Sequence, residues 1–229
     1  MKLVRLALLP IMGLTIALVG CQQNPISKDI KTEADSVSYA LGINIASSLK
    51  QGQLEEIDIL ALAKGLDDVY SEKEGIMTND EVVEYLNAFF AKEQERKAKE
   101  NLEAGQKFLE ENAKREGIIV DTTGIQYEVL VEGNGPKPTE TSRVKVHYHG
   151  TKIDGTVFDS SVEKGEPAEF QLNRVIRGWT LGLQKMSVGS KYKFYIPADY
   201  AYGVRPRPGG AIEPNEVLIF EVELLDIVE

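Results

Sequence analysis

The chain has one cysteine, Cys21, and two histidines, His147 and His149. A nucleophile–base pair or a transition-metal centre would draw first on these. The H-x-H pair could ligate a metal, but a zinc site wants three or four protein ligands, and no third is apparent. Both histidines fall on the polar side of an alternating stretch, Arg143-Val144-Lys145-Val146-His147-Tyr148, so a solvated strand face is the better reading. There is no G-x-S-x-G elbow and no nucleotide-binding glycine loop. No metal or cofactor is therefore expected. What remains is a concentration of rings beside turn motifs: Tyr148, Phe158-Asp159, Phe170, Val175-Ile176, Trp179, Tyr202 and Phe220. Residue types alone allow two readings of such a set, a hydrophobic core or the wall of an apolar pocket.

The elements that would position these rings are mostly strands. Residues 126–131 read as a strand before a Gly/Pro turn, and 143–148 alternate with Val144, Val146 and Tyr148 on one face. Asp154-Gly155 is a hairpin signal, and 191–196 and 217–224 are further strands. One short helix is expected over 175–183. Strands wrapped on one short helix make an α+β domain.

The N-terminal half has a helical texture. Val37, Leu41, Ile45 and Leu49 recur every four residues, and Gly52 would end that helix. A second amphipathic helix starts at Ile59 with Asp58 as its cap. A third begins at the capping box Thr78 and Glu81 and should run over 79–116, about 57 Å at about 1.5 Å per residue, until Gly117. Its first turns are apolar (Val82, Val83, Leu86, Phe89, Phe90). Residues 92–116 carry seven positive and seven negative side chains, with pairs such as Glu95 and Lys99 or Glu110 and Lys114 at i, i+4, acid first. That reads as an exposed charged spacer. Two short helices plus 82–90 are small for an independent core, so they are expected to bury their faces against a second copy.

The chain has 229 residues and a net charge of −10, which disfavours nucleic acid as a partner. A single cysteine precludes an internal disulfide. Lys2 and Arg5 precede an apolar run over 6–19, and Gly20-Cys21 follow, the layout of a secretory signal peptide. The run is shorter than the roughly 20 residues of a spanning helix. Residues 22–31 are polar and aperiodic, a tether. The expected organisation is a signal peptide (1–20), a tether (21–34), helical dimerisation domain (35–90), spacer helix (91–117) and a β-rich domain (118–229).

Leu18-Val19-Gly20-Cys21 resembles the lipobox of bacterial lipoproteins, which implies lipidation of Cys21 and an envelope location, outer membrane facing the periplasm. The motifs V-H-Y-H-G (146–150), D-G-T-V-F-D-S-S (154–161), V-I-R-G-W (175–179), M-S-V-G (186–189), D-Y-A-Y-G (199–203) and L-I-F-E-V-E-L-L (218–225) resemble the FKBP-type peptidyl-prolyl cis–trans isomerases. Residues 35–42, D-S-V-S-Y-A-L-G, resemble the dimerising N-terminal domain of the macrophage infectivity potentiator branch. The resemblance implies a prolyl isomerase acting on proline-containing unfolded polypeptides, without a cofactor, as a homodimer inhibited by macrolides such as FK506 or rapamycin. An alternative is a dimeric holdase chaperone with secondary isomerase activity. By the same resemblance, Tyr148, Phe158, Phe170, Val175, Ile212 and Phe220 are pocket-wall positions and Trp179 the floor. Asp159 is a buried carboxylate, bonded to Tyr148 or a nearby arginine. The Ile176 N–H and the Tyr202 hydroxyl would bind substrate oxygens. Ala168 stands where many eukaryotic members carry phenylalanine, and the loop from Val204 to Ala211 is longer than their short form and carries Arg205 and Arg207.

Overall fold

The computed structural model describes residues 28–51, 54, 56–207 and 209–228. The signal segment and Cys21 lie outside the described residues. The chain divides into two compact units between Glu56 and Ile57. In the first, helix α1 spans Glu33–Gln51. Its start is fixed by a reciprocal pair: Asp35 N–H donates to Thr32 Oγ1 at 3.1 Å, and Thr32 N–H donates to the Asp35 carboxylate at 3.0 Å. The apolar stripe Val37, Leu41 and Ile45 is exposed.

The second unit opens with α2 (Ile59–Tyr70), where Asp58 accepts from the N–H groups of Leu60 and Ala61, and α3 (Asn79–Asn112), where Thr78 and Glu81 form the capping box. No residue of α2 is buried, and Val82, Val83, Leu86, Phe89 and Phe90 at the start of α3 are exposed. Helix α3 is about 51 Å long at about 1.5 Å per residue and stops four residues before the expected end. The reason is tertiary. Asn112 Nδ2 donates to Gln126 Oε1, and Gln126 Nε2 donates to the Leu109 carbonyl, both at 2.8 Å. Arg115 then donates to the Tyr195 hydroxyl at 3.0 Å. The Lys114 and Arg115 N–H groups close the end by donating to the Glu111 and Asn112 carbonyls, while Gln126 and Tyr195 of the sheet hold the last side chains.

The sheet contains β1 (Ile119–Val120), β2 (Gln126–Val131), β3 (Arg143–Lys152), β4 (Val157–Ser160), β5 (Ala168–Gln171), β6 (Lys191–Ile196) and β7 (Leu218–Val228). A single turn α4 (Ser161–Lys164) follows β4, and α5 (Arg177–Leu183) lies between β5 and β6. The order is β1-β2-β6-β7-β3-β4, with β5 also on β3, and all pairs are antiparallel. Strands β1, β4 and β5 and helix α4 were not expected from the sequence. Each has four residues or fewer, too short to show a period.

The core is the alternating inner face: Val144, Val146 and Tyr148 of β3, Phe194 and Ile196 of β6, and Leu218, Phe220, Val222 and Leu224 of β7, closed by Trp179 and Leu183 of α5. Helix α5 approaches the sheet through two glycines one turn apart. A Cβ on Gly178 would lie 2.5 Å from Ile196 Cγ2, and one on Gly182 2.8 Å from Phe194 Cε1. That close approach presses the Trp179 ring among those of the sheet.

Candidate functional site in the aromatic cluster

Trp179 comes from α5, Tyr148 from β3, Phe170 from β5 and Phe220 from β7. Their centroids stand 5.3 Å from that of Trp179, with interplanar angles of 82°, 88° and 79°. Edge-to-face contacts of this kind suit the ring quadrupoles and contribute about 0.5–1.5 kcal/mol each beyond burial. Phe158 of β4 stands edge-on to Phe220 at 5.4 Å. That pair depends on Gly150, where a Cβ would lie 2.7 Å from Phe158 Cζ. Trp179 is 4% exposed, yet its Nε1 has no hydrogen-bond partner among the described residues.

The residues around this buried base are half-buried: Phe158, Phe170, Val175, Ile176 and Ile212 all pack against the core while keeping some accessible surface. Val175 ends the 3-10 turn Leu172–Arg174, and Ile176 caps the start of α5. Its carbonyl accepts from Trp179 and Thr180 N–H at 2.9 and 3.2 Å, while no described residue accepts from its own N–H. Tyr202 is 45% exposed, and its hydroxyl has no partner among the described residues. Burial, with the Asp159 charge adding to it, raises the Tyr202 phenol pKa, so it remains a donor.

Asp159 departs from the expected buried position, since its side chain is 41% exposed. The Tyr148 hydroxyl donates to Asp159 Oδ2 at 2.5 Å, and Lys164 Nζ to Oδ1 at 2.6 Å. The Tyr148 bond is one of the two partners expected, and Lys164 is a second, unexpected one. Partial burial raises the carboxyl, but the bonds from Lys164 and Tyr148 outweigh it and hold the pKa below the ordinary value. The same contact, after burial, pushes the Tyr148 phenol well above its usual range.

Of the ten expected site residues, Tyr148, Phe170 and Phe220 meet at Trp179, Phe158 meets Phe220 and Asp159 meets Tyr148, while Val175, Ile176 and Ile212 pack on the same core and Tyr202 feels the Asp159 charge. Two further contributors, Lys164 and Gly150, were missed. Gly150 closes the motif V-H-Y-H-G and could have been singled out there. Lys164 gave no signal, being one charge among several in a turn. His147 and His149 each contact a serine hydroxyl, Ser161 at 3.2 Å and Ser160 at 3.0 Å, on the outer side of β3.

Comparisons with known proteins assign the chain to a family. Residues 135–225 match the FKBP-type peptidyl-prolyl cis-trans isomerase family, and 34–129 match the domain amino terminal to FKBP-type peptidyl-prolyl isomerase. Over 234 residues the chain is 40% identical to the outer membrane protein MIP of Legionella longbeachae, covering 99% of this chain and 97% of that protein. It is 43% identical to the FKBP-type isomerase FkpA of Aeromonas hydrophila, over 87% of this chain and 78% of that one. The crystal structure of FkpA from Escherichia coli matches with TM-score 0.62 and 36% identity, covering 87% of this chain and 98% of that one. The chain belongs to the FKBP-type peptidyl-prolyl cis–trans isomerase family, with a helical N-terminal region followed by an antiparallel sheet and short helix.

Proposed function

We propose that the aromatic cluster is the isomerase site and that it works without proton transfer. The observation that carries this is Trp179, buried edge-on against Tyr148, Phe170 and Phe220, with Phe158 edge-on to Phe220 and the half-buried Val175, Ile176 and Ile212 packed on the same core. Rotation about an X–Pro bond faces a barrier of about 18–20 kcal/mol because resonance stiffens the C–N bond. The planar resonance form separates charge and is favoured by water. An apolar, water-poor surface disfavours it and lowers the barrier. The Ile176 N–H and Tyr202 hydroxyl are donors without a described acceptor, placed to bind the carbonyls of the twisted peptide. Asp159 positions the Tyr148 ring through its hydroxyl. A rate gain of about 10⁶ would need about 8 kcal/mol. Proline-peptide turnover of Tyr202→Phe combined with Asp159→Ala tests the assignment. A fall of about tenfold or more supports it, and unchanged turnover removes both residues from the mechanism.

The same reading places this activity in the cell envelope, with Cys21 carrying a lipid anchor. Two features support it: the lipobox-like stretch and a relative named for the outer membrane. Each buried lipid CH₂ contributes about 0.8 kcal/mol, so a multiply acylated Cys21 would hold the chain firmly. Macrolides that occupy FKBP sites would compete with peptide here. The exposed stripes of α1, of α2 and of the first turns of α3 favour a homodimer through 35–90, in which two isomerase domains could also hold unfolded chains. Deleting residues 22–90 should leave peptide turnover in place and abolish suppression of aggregation. If aggregation suppression survives, the helices have no chaperone role.

A further inference from the structure

The second half of α3 is charged, yet it is not simply solvated. Four of its residues meet the segment 212–217, which connects the candidate site to β7. Lys97 Nζ lies 2.7 Å from Glu213 Oε1, with the two side chains only 18% and 17% exposed. Asn101 Nδ2 donates to Glu213 Oε2 at 3.1 Å and to the Pro214 carbonyl at 3.0 Å. Asn215 Nδ2 donates back to the Ala98 carbonyl at 2.9 Å. One turn further along, Gly105 faces Val217, where a Cβ would lie 2.7 Å from Val217 Cγ2. Glycine inside a helix costs about 1 kcal/mol relative to alanine, and here it permits the helix to touch the segment.

The segment is tied to the site at both ends. Glu213 directly follows Ile212. Asn215 adopts a left-handed backbone (φ 60), which asparagine tolerates better than most residues. In that conformation its N–H donates to the Gly203 carbonyl at 3.0 Å, next to Tyr202. The Glu213 N–H donates to Glu216 Oε2 at 2.7 Å, and Glu216 pairs with Lys152 of β3 at 2.9 Å. Asn215 therefore touches α3 with its side chain and the Tyr202 turn with its backbone.

We infer that α3 is a positioning element for the isomerase site: Lys97, Asn101 and Asn215 clamp the segment 212–217 and so fix Ile212 and Tyr202 at the edge of the aromatic cluster. A substituted amide bond to the helix would change how well peptide is held, although none of the three residues touches it. This rests on the site reading above and adds a role for the helix that joins the two ends of the second unit.

The test uses the full chain and steady-state turnover of a proline peptide. Lys97→Met removes the ion pair with Glu213, Asn101→Ala both Asn101 bonds and Asn215→Gly the bond to Ala98, and glycine keeps the left-handed backbone at 215. Each should raise KM about three- to tenfold with a smaller change in kcat, and Lys97→Arg should restore most of the wild-type KM. A protein that is merely less stable loses active molecules, which lowers kcat and leaves KM where it was. An unmoved KM in all three variants overturns the inference. Tyr202→Phe runs alongside: if it alone lowers turnover, the site stands and the clamp fails, whereas unmoved Tyr202→Phe turnover with raised KM in the helix variants keeps the clamp and overturns the role of that hydroxyl.

Discussion

At the scale of single residues, the site divides into donors without an acceptor among the described residues and groups that hold one another. Tyr202 belongs to the first kind. Its exposure and its free hydroxyl mean that Tyr202→Phe should change stability by less than about 0.5 kcal/mol while lowering kcat/KM about tenfold, equivalent to about 1.4 kcal/mol, as read by thermal unfolding beside peptide turnover. Asp159 belongs to the second kind, and its depressed pKa sets a direction with pH. Its stabilising contribution is fully present above the unfolded carboxyl pKa, about 3.9, and disappears as pH falls through the lower folded value. From pH 8 to 5 this group should leave turnover flat. Turnover should decline only as pH falls below the ordinary carboxyl range, through the lower folded value, and in Asp159→Asn that acid limb should vanish; a limb that persists assigns the titration to another group. Trp179 was singled out as a floor position by the resemblance of the motif V-I-R-G-W. Its edge-to-face contacts were not legible, because a ring's neighbours on three separate strands leave no mark on local spacing.

At the scale of elements, glycines decide the geometry where rings converge. Gly150→Ala would drive a methyl into the Phe158 ring, which is held edge-on to Phe220. We expect a loss of about 1–3 kcal/mol in unfolding free energy and a clear fall in turnover, since overpacking forces the rings off their positions. Wild-type turnover in that variant would show that the Phe158–Phe220 arrangement is dispensable. Helix starts were well signalled by sequence, as the caps at Asp58 and Thr78 show. Thr78→Ala should cost about 1 kcal/mol in α3 stability, measured by chemical denaturation of the full chain. The spacer was read less well. Lys97, Asn101, Gly105 and Asn112 recur at helical spacing on the docked face, but they are polar or small, and an apolar period cannot reveal a contact made by hydrogen bonds and by a missing side chain. Within the helix, Arg96 reaches both Glu93 and Glu100, and Lys97 reaches across to Glu213.

At the scale of the whole molecule, the exposed apolar stripes of the N-terminal helices need a cover, and a second copy is the cover we propose. Sedimentation of the mature protein should give a dimer, and Leu86→Glu with Phe89→Glu should give a monomer with peptide turnover largely intact. A monomeric wild-type protein would end that proposal. The contacts of α3 with 212–217 also set where the chain can be cut. A deletion ending before Lys92 spares the clamp, whereas one running through 115 would remove Lys97, Asn101 and the Asn112 bond to Gln126 along with the dimerisation helices.

The family, the α+β architecture, the helix starts and the ring residues could be taken from the sequence, because caps, alternation and ordered motifs are local signals. Strands of four residues or fewer, the exposure of Asp159 and its lysine partner, the early end of α3 and the clamp on the segment 212–217 were decided by tertiary structure. Each depends on groups far apart in the chain, such as the 116 positions between Lys97 and Glu213, whose meeting is set by how the sheet folds and not by any pattern along the chain.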